Sequence, residues 1–193
     1  MRSLSQVVFD LDDTLVDNGI RYAIGGALAL AQYADPRVTS DVDVTVGTAH
    51  ASADALVDLF GGLGWQPTTD PNEGPPVAGT RFVMEGEVAK IDVFFSFDDY
   101  HDLVLANAVR RPFLHQGVRR DLPVLAADDL AVMKLSFNRP KDWTDLDAML
   151  DAGTVLDAEY ITRHLVAFKG PRAYPLTARF RAMVDVRAQE PRV

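Results

Sequence analysis

The chain has 193 residues, 48% of them apolar, with no cysteine and a formal net charge of −9 at pH 7. That length buries one sizeable core, or one core with a small appendage, and leaves no room for an independent second catalytic domain. The missing cysteines exclude disulfides, zinc-cysteine centres and thiol nucleophiles; with no basic-then-apolar leader and no apolar run of spanning length, a cytoplasmic setting without membrane attachment is expected.

Leu4, Val7, Val8, Leu11 and Leu15 recur at helical spacing and predict a helix from Ser3 to Asp17, opened by a Ser3/Gln6 capping box and stopped at Asn18-Gly19. A strand at 21–24, a helix at 26–34 and a strand at 41–46 follow. Apolar spacing predicts a helix over 51–62, then a polar, proline-rich loop from Pro67 to Pro76. Strands are expected at 80–84 and 89–97, joined through a turn at Glu85-Gly86, and a helix at 99–109 leads into a strand-rich stretch ending at Leu125. Beyond it the pattern is helical throughout, at 128–137, 141–152, 157–168 and 173–187. The expected fold class is therefore α/β (α+β), a mixed sheet flanked by helices in residues 1–125, with a helical region at 126–193 packed on it.

Charge is divided along the chain. Residues 160–193 carry seven Lys or Arg against two acids, a balance of +5, so the other 159 residues sum to −14. Arg110, Arg111, Arg119 and Arg120 form a second basic cluster. An overall acidic chain is no general nucleic-acid binder, because backbone binding rests on Lys and Arg neutralising phosphates. A local basic surface can still act.

The chemistry is concentrated in three places. Gly25-Gly26 lies where a strand opens a helix, a position in which the absent Cβ lets backbone amides approach an anion. Asp41 and Asp43, one residue apart on a strand, point to the same side and can share divalent cations. Asp92 is an acid inside the apolar run Ile91 to Phe95, where a buried charge needs a partner or a metal. Together the three carboxylates suit two Mg²⁺ or Mn²⁺ ions holding a triphosphate, with Asp92 also placed as general base.

One stretch points elsewhere. Val7 to Leu15, with Asp10 and Asp12, resembles the first motif of haloacid-dehalogenase-type phosphatases. Its helical periodicity argues against the strand-and-loop setting that chemistry needs. Protein-kinase chemistry is also disfavoured, since neither the His-Arg-Asp nor the Asp-Phe-Gly motif occurs.

Gly25-Gly26, Asp41-x-Asp43 and Asp92 resemble the DNA polymerase β-type nucleotidyltransferase superfamily. The finer pattern is similar to toxin nucleotidyltransferases of the AbiEii/MenT type. Ile24 to Ala29 with Arg37 to Asp43 matches their first motif, and Leu130 to Leu135 with Arg139 to Leu146 matches their later lysine and aspartate motifs. The resemblance covers roughly residues 20–150. It implies a metal-dependent enzyme that transfers NMP from an NTP, with a pyrimidine donor (CTP or UTP) as one expectation. The acceptor it implies is the tRNA 3′ end, and the outcome is blocked aminoacylation and translation. It also implies catalytic Asp41, Asp43, Asp92 and Lys134, and nucleotide contacts from Gly25, Gly26, Ser40, Lys134, Arg139 and Asp145. A cognate, kinase-like antitoxin is the implied partner, with phosphorylation of Thr39 or Ser40 as its means of control. A small-molecule adenylyltransferase, using the same carboxylates on a cationic substrate, is the alternative that the acidic N-terminal half suits. A non-catalytic binding module on the same scaffold is disfavoured by the three intact aspartates.

Overall fold

The structure, a computed structural model, describes residues 1–47, 53–68 and 79–189. The chain divides into two compact units, one of residues 1–29 and 37–125, the other of 30–36 and 126–193.

The first unit opens with α1 (Leu4–Asp17) and continues through β1 (Tyr22–Ile24), α2 (Gly26–Leu30), β2 (Asp41–Val46), α3 (Ala53–Gly62) and β3 (Gln66–Thr68). It closes with β4 (Gly79–Val83), β5 (Lys90–Phe95), α4 (Asp99–Asn107), β6 (Val109–His115) and β7 (Val118–Val124). The described strands form one mixed sheet in the order β3-β4-β5-β2-β1-β7-β6. The centre is set by a parallel β2–β5 pair, flanked by β1 antiparallel to β2 and β4 antiparallel to β5. One face is core: Val42, Val44, Phe82, Ile91 and Val93 are at most 1% exposed, and Val7 and Leu11 of α1, Phe60 of α3 and Ile91 line one cavity of about 190 Å³. The opposite face carries the charged residues of the same strands. Alternation along the strands makes this division.

Helix α1 forms as its spacing predicts. Ser3 caps it by accepting from the Gln6 N–H (3.2 Å), while the Gln6 side chain donates to Asp10 instead of closing the box. Gly19, at φ +65°, takes the left-handed turn that ends it. This overturns the phosphatase reading: Asp10 and Asp12 are helical residues, Asp10 paired with Arg2 and Asp12 with Arg120 and the Tyr22 hydroxyl.

Four expectations need adjusting. The second helix stops at Leu30 rather than 34. Pro67 and Thr68, read as loop, belong to the edge strand β3, where a proline's missing donor is tolerated; the rest of that loop, and residues 51–52 of the expected helix, lie outside the described residues. Helix α4 ends at Asn107, so Val109 starts a strand, and the strand-rich stretch is a hairpin turning at Gln116-Gly117, both at positive φ. The basic cluster sits on that hairpin, and Arg120 is spent on α1, its guanidinium bonding Asp12 and Asp13 and lying 4.5 Å from the Phe9 ring.

The second unit is helical: α5 (Ala127–Phe137), α6 (Pro140–Asp151), α7 (Ala158–Lys169), a 3₁₀ turn at Gly170–Ala173 and α8 (Tyr174–Gln189). Asn138 in the left-handed region ends α5, and Pro140 at the first position of α6 starts the next helix. Asp142 reaches back to the Arg139 N–H (3.0 Å), closing that start. Among the described residues, no helix is long and apolar enough to cross a membrane.

Candidate active site

Register brings the predicted carboxylates together. Asp43 lies directly opposite Asp92 across the parallel β2–β5 pair, and Asp41, two residues earlier, lies opposite Lys90. All three are half-buried on the sheet face away from the core, as the alternation of β2 and β5 requires. Asp41, Asp43 and Asp92 therefore share a face by pairing as well as by spacing.

Gly25 and Gly26 join the same site. The Gly25 N–H donates to the Asp43 carbonyl at 2.8 Å. Gly26 has φ +55°, and a Cβ there would stand 1.8 Å from Asp43 Oδ2. Only glycine satisfies both conditions. The anion that its missing Cβ admits in this structure is the Asp43 carboxylate, and α2, five residues long, adds little helix dipole. Gly26 thus sets where Asp43 lies.

The hydroxyls before the aspartates serve the local turn. Thr39 Oγ1 accepts from the Asp41 N–H at 3.1 Å, and the Ser40 hydroxyl donates to Asp41 Oδ1 at 3.3 Å. The Ser40 carbonyl accepts from the Lys90 N–H at 3.1 Å, which ties the entry of β2 to β5.

Sequence reasoning missed Arg81. It lies on β4 directly across from Asp92, donating from Nε to Oδ1 and from Nη2 to Oδ2, both at 2.6 Å. Its Nη2 is also 3.9 Å from Asp41 Oδ2. The hydrogen bonds to Asp92, with the charges of Asp92, Asp41 and Asp43, hold the guanidinium even further above its ordinary range. The signal was present in Gly79-Thr80-Arg81-Phe82-Val83, a lone charge in the middle of an apolar strand.

The donor set fits a hard dication, being all carboxylate oxygen on two adjacent strands. The cluster already draws a cation, the Arg81 guanidinium. As the side chains stand, no three Asp, Glu, His or Cys among the described residues converge on one ion, and Asp92 is turned to Arg81.

Lys134, Arg139 and Asp145 belong to the second unit. Lys134 Nζ sits 2.6 Å from Asp145 Oδ2, the two side chains 5% and 3% exposed. Asp145 thus holds Lys134. Arg139 grips the buried Asp142 with two hydrogen bonds, at 2.8 and 3.0 Å, and lies against the Phe137 ring.

No protein-family profile matches the sequence, and no curated protein does either. Solved structures do. The solution structure of the antibiotic-resistance factor ANT(2'')-Ia superposes with a TM-score of 0.60 at 14% identity, covering 92% of this chain and 97% of that one. The fold is a nucleotidyltransferase fold. A crystal structure of ANT(2'')-Ia in complex with adenylyl-2''-tobramycin gives 0.51 at 12% identity, over the same 92% and 97%. An antigenic nucleotidyltransferase-like protein from Paracoccidioides brasiliensis gives 0.54 at 18% identity, covering 91% of this chain and 92% of that one. At these identities the likeness is one of overall fold.

Proposed function

We propose that the protein is a metal-dependent nucleotidyltransferase, moving NMP from an NTP to an acceptor hydroxyl. The observation that carries this reading is the Asp41, Asp43 and Asp92 trio, set on one face of adjacent parallel strands in a nucleotidyltransferase fold. In the reaction the acceptor oxygen bonds to the α-phosphorus, the bond from that phosphorus to the bridging oxygen breaks, and pyrophosphate leaves. Asp92 takes the acceptor proton. Asp41 and Asp43, together with Asp92, would hold magnesium or manganese, which would supply positive charge for the attacking and leaving oxygens. Gly26 keeps Asp43 in place, and the Thr39 and Ser40 hydroxyls steady Asp41.

For the acceptor, charge favours a small, hydroxyl-bearing cation. The first 159 residues sum to −14, and three arginines of the two basic clusters are engaged within the protein: Arg120 with Asp12 and Asp13, Arg181 with Glu159, Arg187 with Asp147 and Asp151. The likeness to ANT(2'')-Ia, whose complex holds an adenylylated tobramycin, supports the same reading.

A second reading, NMP transfer to the tRNA 3′ end by a toxin with a cognate, kinase-like antitoxin, is favoured by one observation. Lys134 and Asp145, from the two later motifs through which the sequence resembles the AbiEii/MenT type, meet in a direct ion pair. Phosphorylation of Thr39 or Ser40 belongs to this reading, since it would set negative charge against Asp41.

One experiment separates them. Purified protein and an Asp43→Ala variant are incubated with Mg²⁺ and each α-labelled NTP, against total RNA in one arm and a panel of polycationic aminocyclitol and amino-sugar alcohols in the other. Label on a small molecule, absent with the variant, supports the first reading; label at tRNA size supports the second. No label in either arm, from folded protein with all four NTPs, counts against nucleotidyl transfer to both classes.

A further inference from the structure

Nucleotidyl transfer as set out above needs the three aspartates and does not need Arg81, yet the fold puts Arg81 among them. The residue lies at the middle of β4 with Asp92 as its cross-strand partner. Its guanidinium occupies both oxygens of that carboxylate at 2.6 Å and reaches to 3.9 Å from Asp41. Such a two-pronged, charge-assisted contact is the strong form of the arginine–carboxylate pair. The two partners differ in freedom. Arg81 keeps 42% of its side chain exposed and can turn to solvent without opening the core, whereas Asp92 is 16% exposed on the strand paired with β2.

A dication brought to these carboxylates meets the positive guanidinium at contact range, where like charges repel strongly. Resting on the metal-dependent reading, we propose that Arg81 is a latch on Asp92. It keeps the carboxylate trio closed to a divalent ion that arrives alone and yields to an ion that arrives with a triphosphate. The anion makes the difference. Triphosphate oxygens offer the displaced guanidinium the paired acceptors that it gives up on Asp92, and a bare ion offers none. Ion and nucleotide then bind with positive coupling carried by Arg81, and by linkage each raises the other's affinity by the same factor. Arg81 is in this sense a positioning residue that acts through Asp92. A plain cross-strand tie between β4 and β5 would hold the sheet and carry no such coupling.

The test is a titration of the full chain and of Arg81→Gln with Mn²⁺ alone, reading the free ion by its paramagnetic resonance signal, with circular dichroism to show that both proteins are folded. The Gln variant is expected to bind Mn²⁺ about tenfold more tightly than the parent, and Arg81→Gln with Asp92→Asn to lose that gain. Equal Mn²⁺ affinity in parent and Arg81→Gln overturns the latch and leaves the metal reading standing. Folded proteins that bind no Mn²⁺, alone or with non-hydrolysable triphosphate analogues of the four bases, overturn the metal reading and the latch with it. The second measurement is the factor by which Mn²⁺ raises analogue affinity. It falls at least about threefold in Arg81→Gln if the latch holds, and an unchanged factor overturns it.

Discussion

In the first unit Arg81 meets Asp92 with its side chain 42% exposed, whereas in the second Lys134 meets Asp145 with both side chains at 5% or less. The distances are alike, 2.6 Å in each pair. The surroundings decide what each pair can do. An ion pair with one partner well exposed to water can be traded for another partner more readily than a buried one. A buried one is hard to break, because removing either member leaves a charge without water. The first unit therefore keeps its carboxylates exchangeable on an open sheet face, and the second fixes its internal charges as part of a helical core.

The strongest way to break this comparison is at Asp43. Asp43→Ala is expected to lower nucleotidyl transfer by about a thousandfold or more, because the site loses a carboxylate shared by ion and nucleotide. The same variant is expected to unfold within a few tenths of a kcal/mol of the parent, since it removes a half-buried charge from an acidic face. Activity measured with the best labelled NTP, beside a urea titration, checks both halves. A large stability loss would place Asp43 in the fold rather than in the chemistry.

The opposite result is expected in the helical unit. Lys134→Met leaves Asp145 charged and buried, and is expected to destabilise the protein by roughly 3–5 kcal/mol in urea unfolding. Lys134→Met with Asp145→Leu is expected to recover most of that loss, since both charges are then gone. Failure of the double variant to recover would mean that Lys134 and Asp145 depend more on further partners than on each other.

Gly26→Ala stands between the two regimes. Its φ of +55° strains any L side chain, and the added methyl falls on the Asp43 carboxylate. A loss of about 1–3 kcal/mol in stability is expected from the backbone and the displaced carboxylate together. Activity is expected to fall with it, because Asp43 must move. Loss of stability with full activity would show that the carboxylate tolerates the shift.

How much of this was written in the sequence varies with the range of the interaction. The strand carrying Asp41 and Asp43 and the helix at α1 were legible because period-two and period-3.6 patterns are local. Alternation put Asp41 and Asp43 on one side, and the parallel register, which sets Asp43 opposite Asp92, brought the third carboxylate to the same face. Arg81 was not legible as Asp92's partner. A tight turn at Glu85-Gly86, closed by the Glu87 N–H on the Met84 carbonyl, would by itself put Arg81 across from Lys90. Val88 and Ala89 intervene before β5 begins, and they shift the partner to Asp92. Side-chain choices between several acids were equally hidden: Arg120 takes Asp12 and Asp13 on α1, more than a hundred residues away in sequence. The seven cations of the last 34 residues read as a basic surface, yet Arg181 and Arg187 are paired with acids of α6 and α7, and Arg179 lies 3.7 Å from the Trp143 ring.

The smallest effect expected concerns pH, and it sharpens the contrast within the helical unit itself. His164 of α7 lies with its ring 4.2 Å from that of Tyr160, whose hydroxyl donates to the buried Asp129 at 2.7 Å. Burial first, then the neighbouring Arg163 charge, hold the imidazole below its ordinary value of 6.5, with Asp129 opposing weakly. The folded protein thus prefers neutral His164 more than the unfolded chain does. A depressed folded-state value means that its contribution is complete above the unfolded value and is lost as pH falls through the folded one. Melting temperature is accordingly expected to slip as pH is lowered from neutrality past 6.5, and His164→Gln is expected to flatten that part of the profile. An unchanged slope in the variant would show that groups other than His164 carry the acid sensitivity.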